Sequence, residues 1–331
     1  MAELTFRQAV AAALAQEMAR DERVVLLGED VRPGGVFKTT LGLLEKFGPE
    51  RVWDTPISET AIVGAAMGAA MAGMRPVAEI MFSDFYGTCW DQVAVEIAKT
   101  RYMTGGQVSL PLVVHGANGG GLGFGAQHSQ AVENWAMAVP GLKIVSPSTP
   151  ADMLGLMAAA IRDDDPVLVF EHKALLGMKG ECPDGEHVLP LGSANVLRTG
   201  RDVTLVGLSR TVGTCDQAAD ELAEEGVDVE VIDLRTLVPL DASTVLSSTR
   251  RTGRIVIVEE NPGQLGWGAG LGSIVADEAF DELAGPVTRV SGGNVPLPVA
   301  AAMEAEVSVS AERVVAAAMK LLDRPDRRSS V

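Results

Sequence analysis

Asp54-Thr-Pro-Ile-Ser-Glu-Thr-Ala-Ile-Val-Gly-Ala-Ala-Met-Gly-Ala-Ala-Met-Ala-Gly-Met-Arg-Pro-Val-Ala-Glu-Ile-Met-Phe82 sets a helix-length run of small apolar residues against a short run of strand type. Pro56 precedes the run and Ser58 stands where it can cap, so the pattern predicts a helix from Glu59 to Ala72. That helix is apolar all round, which predicts that it is buried. A strand from Pro76 to Phe82 follows. Glu59 lies in the first helical turn and is the only charged residue between Asp54 and Arg75. A carboxylate there is favoured by the helix dipole. Equally, apolar surroundings disfavour the ionised form and let the carboxyl share a hydrogen bond with a ring nitrogen of a ligand.

The same alternation runs outward in both directions. An amphipathic helix, Thr5 to Met18, precedes an apolar strand, Val24 to Gly28, which ends in Glu29 and Asp30. Downstream, strands are expected at Leu110 to His115, Leu142 to Val145 and Pro166 to Phe170, with helices at Tyr86 to Arg101 and Pro150 to Arg162. Short Val, Leu and Ile runs separated by helices imply an α/β fold with a parallel sheet covered on both faces. Gly, Pro, Cys and charge then interrupt the pattern, and residues 176–202 read as a linker. A second alternating unit follows, with strands at Val203 to Leu208, Val227 to Ile232, Arg254 to Glu259 and Val287 to Val290. Its helices are expected at Thr211 to Glu225, Asp241 to Thr249, Gly268 to Leu283 and Ala311 to Leu322. The expected organisation is therefore two α/β domains, 1–175 and 203–323, and a loose tail at 324–331.

Composition narrows the function classes. A chain of 331 residues that is 47% hydrophobic can bury two full cores. The longest uncharged apolar run, Ala61 to Met74, is too short to span a bilayer, so no membrane segment is expected. Met1 to Arg7 lacks the features of a secretion signal or transit peptide, which suggests the cytoplasm. Cys89, Cys182 and Cys215 are too scattered for a zinc site and read as reduced structural thiols. A formal charge of −17 disfavours nucleic acid and suits a basic protein partner, although solubility alone also accounts for it.

The stretch Gly116-Ala-Asn-Gly-Gly-Gly-Leu-Gly-Phe-Gly-Ala-Gln-His-Ser-Gln130 follows a predicted strand. Gly121, Gly123 and Ala126 satisfy the spacing of a dinucleotide-binding turn. Against an NAD-binding oxidoreductase, the loop is not the first strand-helix turn, Gln127 and His128 replace the apolar start of a helix, and no acid stands about twenty residues on. The glycines alternatively let the backbone pass close to a ligand and leave His128 at the end of the loop. His128 titrates in the range useful for proton exchange, or is simply a loop histidine bonded to backbone. No G-x-S-x-G elbow, Walker A loop or H-E-x-x-H helix is present.

Ile57-Ser-Glu-Thr60, Met81-Phe-Ser-Asp-Phe85, Gln127-His-Ser-Gln130, Pro140 to Thr149 and Ala160-Ile-Arg-Asp163 together resemble one family. It is the β subunit of the thiamine-diphosphate-dependent E1 component of 2-oxo acid dehydrogenase complexes, and the resemblance covers nearly the whole chain. It implies a pyrimidine-binding domain followed by a transketolase C-terminal-like domain. It further implies that Glu59 bonds the aminopyrimidine ring of the cofactor, that Phe85 packs against that ring, and that His128 assists acyl transfer to the lipoyl group. Phe85 would equally serve ordinary core packing. A structural potassium ion is implied at Leu112, Ala160, Ile161, Asp163 and Asp165, the last often Asn in the family; the alternative is an exposed acidic loop. The family's Gly-Asp-Gly…Asn motif for magnesium and diphosphate is absent from this chain, as expected if an α subunit carries it. The implied assembly is an α2β2 heterotetramer that docks the basic subunit-binding domain of the E2 acyltransferase. Pyruvate is the expected substrate, with acetoin or branched-chain 2-oxo acids as alternatives. A non-catalytic docking subunit is the remaining alternative.

Overall fold

The computed structural model describes residues 1–327 of the chain. The last part of the expected tail, 328–331, lies outside the described residues. Two compact units form, Met1–Gly119 with Trp135–Leu191, and Gly120–Asn134 with the chain from Gly192 onward.

Up to residue 191 the elements are β1 (Ala2–Thr5), α1 (Phe6–Arg20), β2 (Val24–Gly28), α2 (Leu43–Phe47), β3 (Val52–Asp54), α3 (Glu59–Met71), β4 (Arg75–Phe82), α4 (Thr100–Met103), β5 (Val113–Asn118), α5 (Glu133–Met137), β6 (Lys143–Val145), α6 (Pro150–Arg162), β7 (Val167–His172) and β8 (Lys179–Cys182). Strands of the first unit are hydrogen-bonded in the order β6-β7-β5-β4-β2-β3, every pair parallel. β2, β5 and β7 are buried at every residue, as parallel strands covered on both faces must be. Helices α1 and α6 pack together over one core. Thr5 and Gln8 close a capping box at the start of α1. Between the two helices the buried Glu17 accepts from Arg162 Nε at 2.9 Å and Nη2 at 2.7 Å, and from Arg20 Nε at 2.7 Å.

The second unit contains β9 (Asn195–Arg198), β10 (Val203–Gly207), α7 (Arg210–Glu224), β11 (Val229–Asp233), β12 (Thr236–Val238), α8 (Ala242–Thr252), β13 (Ile255–Pro262), α9 (Trp267–Glu278), β14 (Thr288–Gly292), α10 (Ala301–Val307) and α11 (Ala311–Leu322). Its sheet runs β14-β13-β10-β11-β9, parallel except for β9. Val203, Leu205, Val231, Val256 and Val258 form its core with Cys215, Leu222, Val314 and Leu321 of α7 and α11.

Several expectations are corrected. The helix predicted over Tyr86 to Arg101 is broken into a 3-10 turn, Ser83–Thr88, a π-helical turn, Gln92–Ile97, and α4. Gly87 and the β-branched residues at 88, 93, 95 and 97 weaken a regular helix there. The strand predicted at Leu110 to His115 lies three residues later and carries its polar end, His115 to Asn118, inside the sheet. Ser58 makes no side-chain cap to α3. Nor is α3 buried all round: Ile62, Val63, Ala66 and Ala70 are covered, whereas Ala61, Gly64, Ala65 and Gly68 are exposed. Residues 176–202 contain β8, antiparallel to β1, and β9, antiparallel to β11. No helix among the described residues is long and apolar enough to cross a membrane.

Candidate active site

In the first unit, chemistry collects where the parallel strands end. β2 ends at Gly28 and is followed by Glu29; β3 leads into α3, whose first residue is Glu59; β4 is followed by the turn that carries Phe85. Glu59 is half-buried rather than buried, because the face of α3 beside it is open. Thr88 Oγ1 lies 2.9 Å from Glu59 Oε2 and 2.8 Å from the carbonyl oxygen of Phe85, and donates its single proton between them. Thr60 Oγ1 in turn donates to the Thr88 carbonyl at 2.9 Å. The turn after β4 is thereby tied to the first residues of α3. Glu59 Oε1 accepts no hydrogen bond among the described residues, so one carboxylate oxygen is held by Thr88 and the other is open.

Phe85 stacks edge-on against Phe82 at 5.7 Å, and Phe82 against Phe37 at 5.3 Å. These contacts order the ring of Phe85 without burying it. Burial, then the charges of Asp30 and Glu59, push the Glu29 carboxyl above its ordinary range. Burial and the Glu59 charge push the Cys89 thiol up to about 12, so this thiol is inert near neutrality. All three cysteines are free and buried.

A second polar group, which the sequence reading missed, lies across the middle of the sheet. Glu79 on β4, His115 on β5 and Glu171 on β7 stand side by side on three hydrogen-bonded strands, each after a run of apolar residues. His115 Nδ1 is 2.5 Å from Glu171 Oε1, and its Nε2 is 3.7 Å from Glu79 Oε2. Thr39 Oγ1 donates to Glu79 Oε2 at 3.2 Å. Burial would by itself lower the His115 pKa, but Glu171 and Glu79 together raise it above its ordinary value. Burial raises Glu79 to about 7, against the opposing pull of His115. The available signal was a titratable residue inside each of three strands that are otherwise rich in Val, Leu and Ile.

The residues expected to hold potassium are brought together at the start of β5 and the end of α6. Arg75 Nη1 donates to the carbonyls of Ile161 at 2.9 Å and Asp163 at 3.0 Å. The carbonyl of Leu112 accepts from Val167 N at 3.0 Å, and that of Ala160 from Asp163 N at 3.3 Å. Lys143 Nζ bonds both carboxylate oxygens of Asp163 at 2.7 Å and reaches Asp165 at 3.3 Å; Arg101 also pairs with Asp165. Although burial opposes it, these cations hold the Asp165 carboxyl below its ordinary range. The acidic loop is thus an ion-paired cluster. Each carbonyl retains a second lone pair, so the set still presents hard oxygen donors.

His128 belongs to the second unit, in the glycine-rich segment. Its backbone N donates to Gly125 O at 3.3 Å and its side chain is half-buried. The amides that a dinucleotide phosphate would need are already used: Gly120 N donates to Glu260 Oε1 at 2.7 Å, Gly121 N to Glu304 Oε1 at 2.6 Å and Gly123 N to Glu304 Oε2 at 3.0 Å. No long helix starts at the loop either, since α5 begins only at Glu133. The spacing Gly121, Gly123, Ala126 therefore does not mark a dinucleotide turn here.

Residues 2–179 match the transketolase pyrimidine binding domain, and residues 192–314 the transketolase C-terminal domain. The chain is 43% identical over 327 residues to the mitochondrial pyruvate dehydrogenase E1 component subunit beta of Dictyostelium discoideum, covering 97% of this chain and 92% of that one. It belongs to the E1 β-subunit family of 2-oxo acid dehydrogenase complexes. The 2-oxoisovalerate dehydrogenase subunit beta of Bacillus subtilis is equally similar, 43% over 326 residues, with 98% of this chain and all of that one covered. So is the acetoin:2,6-dichlorophenolindophenol oxidoreductase subunit beta of Cupriavidus necator, at 43% over 330 residues and 96% and 97% coverage. Among solved structures, a split gene transketolase, an inactive beta4 tetramer, superposes with a TM-score of 0.81 at 25% identity, over 98% of this chain and 99% of that one. An E1 β subunit therefore has the two-domain transketolase-type α/β fold expected from the sequence.

Proposed function

We propose that this E1 β subunit, with an α subunit, catalyses the thiamine-diphosphate-dependent oxidative decarboxylation of pyruvate and acylates the lipoyl group of an E2 acyltransferase. The observation that carries this reading is Glu59 at the first residue of α3, one oxygen held by Thr88 and the other open, beside Phe85. When bound, thiamine diphosphate supplies the nucleophilic carbon and the electron sink that decarboxylation requires. In this reading Glu59 Oε1 would bond the aminopyrimidine ring and hold or release the proton shared with it. Phe85 gives that ring an ordered aromatic surface, and Thr88 keeps Glu59 from turning away. His128 moves a proton near the acyl group during transfer to lipoyl.

Diphosphate and magnesium are assigned to the α subunit, because the motif that would bind them is missing from this sequence. An α2β2 assembly is supported by the exposed small-residue face of α3, Ala61, Gly64, Ala65 and Gly68, which an apolar partner would cover. The net charge of −17 suits the basic subunit-binding domain of E2. A structural potassium ion is assigned to the carbonyls of Leu112, Ala160, Ile161, Asp163 and Asp165, beside the Arg75 guanidinium.

Pyruvate is preferred to a branched-chain substrate on the Gln127-His-Ser-Gln130 and Pro147-Ser-Thr-Pro150 stretches, since overall identity does not rank the relatives. Co-expression with the α subunit and measurement of dye reduction tests this. Turnover on pyruvate well above that on acetoin and branched-chain 2-oxo acids is expected, and equal rates on all three would contradict the assignment.

A further inference from the structure

The glycine-rich segment of the second unit is built like an anion site, yet the anion is the protein's own. Gly121, Gly123 and Gly125 all have positive φ, between 68° and 92°. Alternating such residues with ordinary ones turns successive N–H groups to one side of the chain and makes a concavity that favours negative charge. Two carboxylates fill it. Glu304, on α10 and buried, spans the amides of Gly121 and Gly123 with its two oxygens, while Glu260, at the end of β13, takes Gly120.

The fit is close on every side. A Cβ at Gly120 would stand 3.2 Å from Glu304 Oε1, and one at Gly121 would stand 2.6 Å from Arg210 Nη1. Arg210 in turn lies 4.0 Å from Glu260. Beyond His128 the segment is tied again, by Asn261 Nδ2 donating to Ala131 O at 2.8 Å and Asn134 Nδ2 donating to Leu265 O at 3.0 Å. His128 thus sits on a span anchored at both ends. Glycines that are otherwise free to choose their conformation are fixed on the upstream side by Glu260 at Gly120 and, nearer His128, by the bidentate Glu304 at Gly121 and Gly123.

We propose that Glu304 is a positioning residue for acyl transfer: by bridging Gly121 and Gly123 it holds the segment that presents His128. This rests on the assignment of His128 to lipoyl acylation. Replacing Glu304 by glutamine keeps the size but leaves one oxygen for two amides and turns an NH2 group toward the other. A displacement of about 1 Å at a reacting group can cost about a hundredfold in rate.

The test uses the assembled α and β subunits with pyruvate. Acylation of free lipoamide is compared with decarboxylation read by an artificial electron acceptor, and amide hydrogen exchange is followed at Gly121 and Gly123. Glu304→Gln should lower lipoamide acylation by about a hundredfold, leave dye-linked decarboxylation close to wild type, and speed exchange at both amides. In a His128→Ala background it should add no further loss, because its effect passes through His128. Unchanged acylation overturns the proposal. So does an equal fall in both partial reactions, or a loss that multiplies that of His128→Ala, since each marks a general structural role. If Glu304→Gln does not assemble, Glu304→Asp, too short to reach both amides, is held to the same outcomes. Unimpaired acylation in His128→Ala alone would refute the His128 assignment. Glu304 would then be judged on exchange at Gly121 and Gly123, where retained protection overturns the clamp and lost protection upholds it.

Discussion

Replacing Glu79 by glutamine should make this protein more stable in mild alkali than in mild acid, relative to wild type. In the wild type the Glu79 carboxyl is raised from 4.5 to about 7, first by burial and then by Glu171, with His115 opposing. A group whose pKa is raised on folding contributes stability that is complete below its unfolded value and is lost as pH rises through its folded value. For Glu79 that window runs from 4.5 to about 7. At about 1.4 kcal/mol per pH unit the full loss is about 3 kcal/mol, of which about 2 kcal/mol falls between about pH 5.5 and 8. His115, whose pKa is also raised, acts in the same direction: its contribution is complete below 6.5 and declines at higher pH. Glutamine resembles the protonated acid, can still accept from Thr39, and never ionises. The urea midpoint of Glu79→Gln should therefore approach that of the wild type near about pH 5.5 and exceed it near about pH 8, by about 2 kcal/mol relative to the difference in acid. A difference between the two proteins that does not change with pH would refute the reasoning, because it would mean that Glu79 keeps the same protonation state when the chain folds.

Two further perturbations probe other parts of the structure. Arg162→Ala leaves the buried Glu17 with only Arg20 and Gln16 as side-chain partners, and should cost about 2 kcal/mol at neutral pH by urea unfolding. Burial opposes ionisation of Glu17, but Arg162 and its other partners hold its pKa below 4.5, so the penalty should shrink as pH falls through that lowered value. A penalty that is unchanged in acid would show that the pair does not act through charge. Thr88→Val removes the hydroxyl that fixes Glu59 Oε2, and should lower kcat for decarboxylation about tenfold without changing the melting temperature by more than about 2 °C. Undiminished kcat would mean that Glu59 needs no such support.

The helix-strand unit around Glu59 was legible because period and composition report directly on local structure, and so was the parallel architecture that it implies. The burial of α3 was misread for a physical reason: an apolar surface shows that something covers it, not that the same chain does. Gly64 and Gly68 meet nothing on their open side. The segment after Phe82 was read as one helix because Tyr86 to Arg101 is helical in spacing, whereas the contacts of Thr88 and Cys89 draw it into a turn. Single residues with chemical roles were harder to read. Glu304 carries no local sign of its function, since its partners are backbone amides about 180 residues away in sequence. His115 carries no local sign of its partners either, because Glu79 and Glu171 lie on neighbouring strands and no sequence spacing encodes that adjacency. The match of Gly121, Gly123 and Ala126 to a dinucleotide turn shows the converse case, a spacing whose amides are already spoken for.

The most direct test of the account is the activity of Glu59→Gln in the assembled α and β subunits. Glutamine keeps the length of the side chain and can still meet Thr88, but it cannot exchange the proton on which the proposed role depends. With assembly unchanged by size-exclusion chromatography, dye-linked decarboxylation of pyruvate should fall by at least about a hundredfold. Near-normal turnover in that assembled variant would contradict the account and leave Glu59 as no more than a favourable charge at the start of a helix.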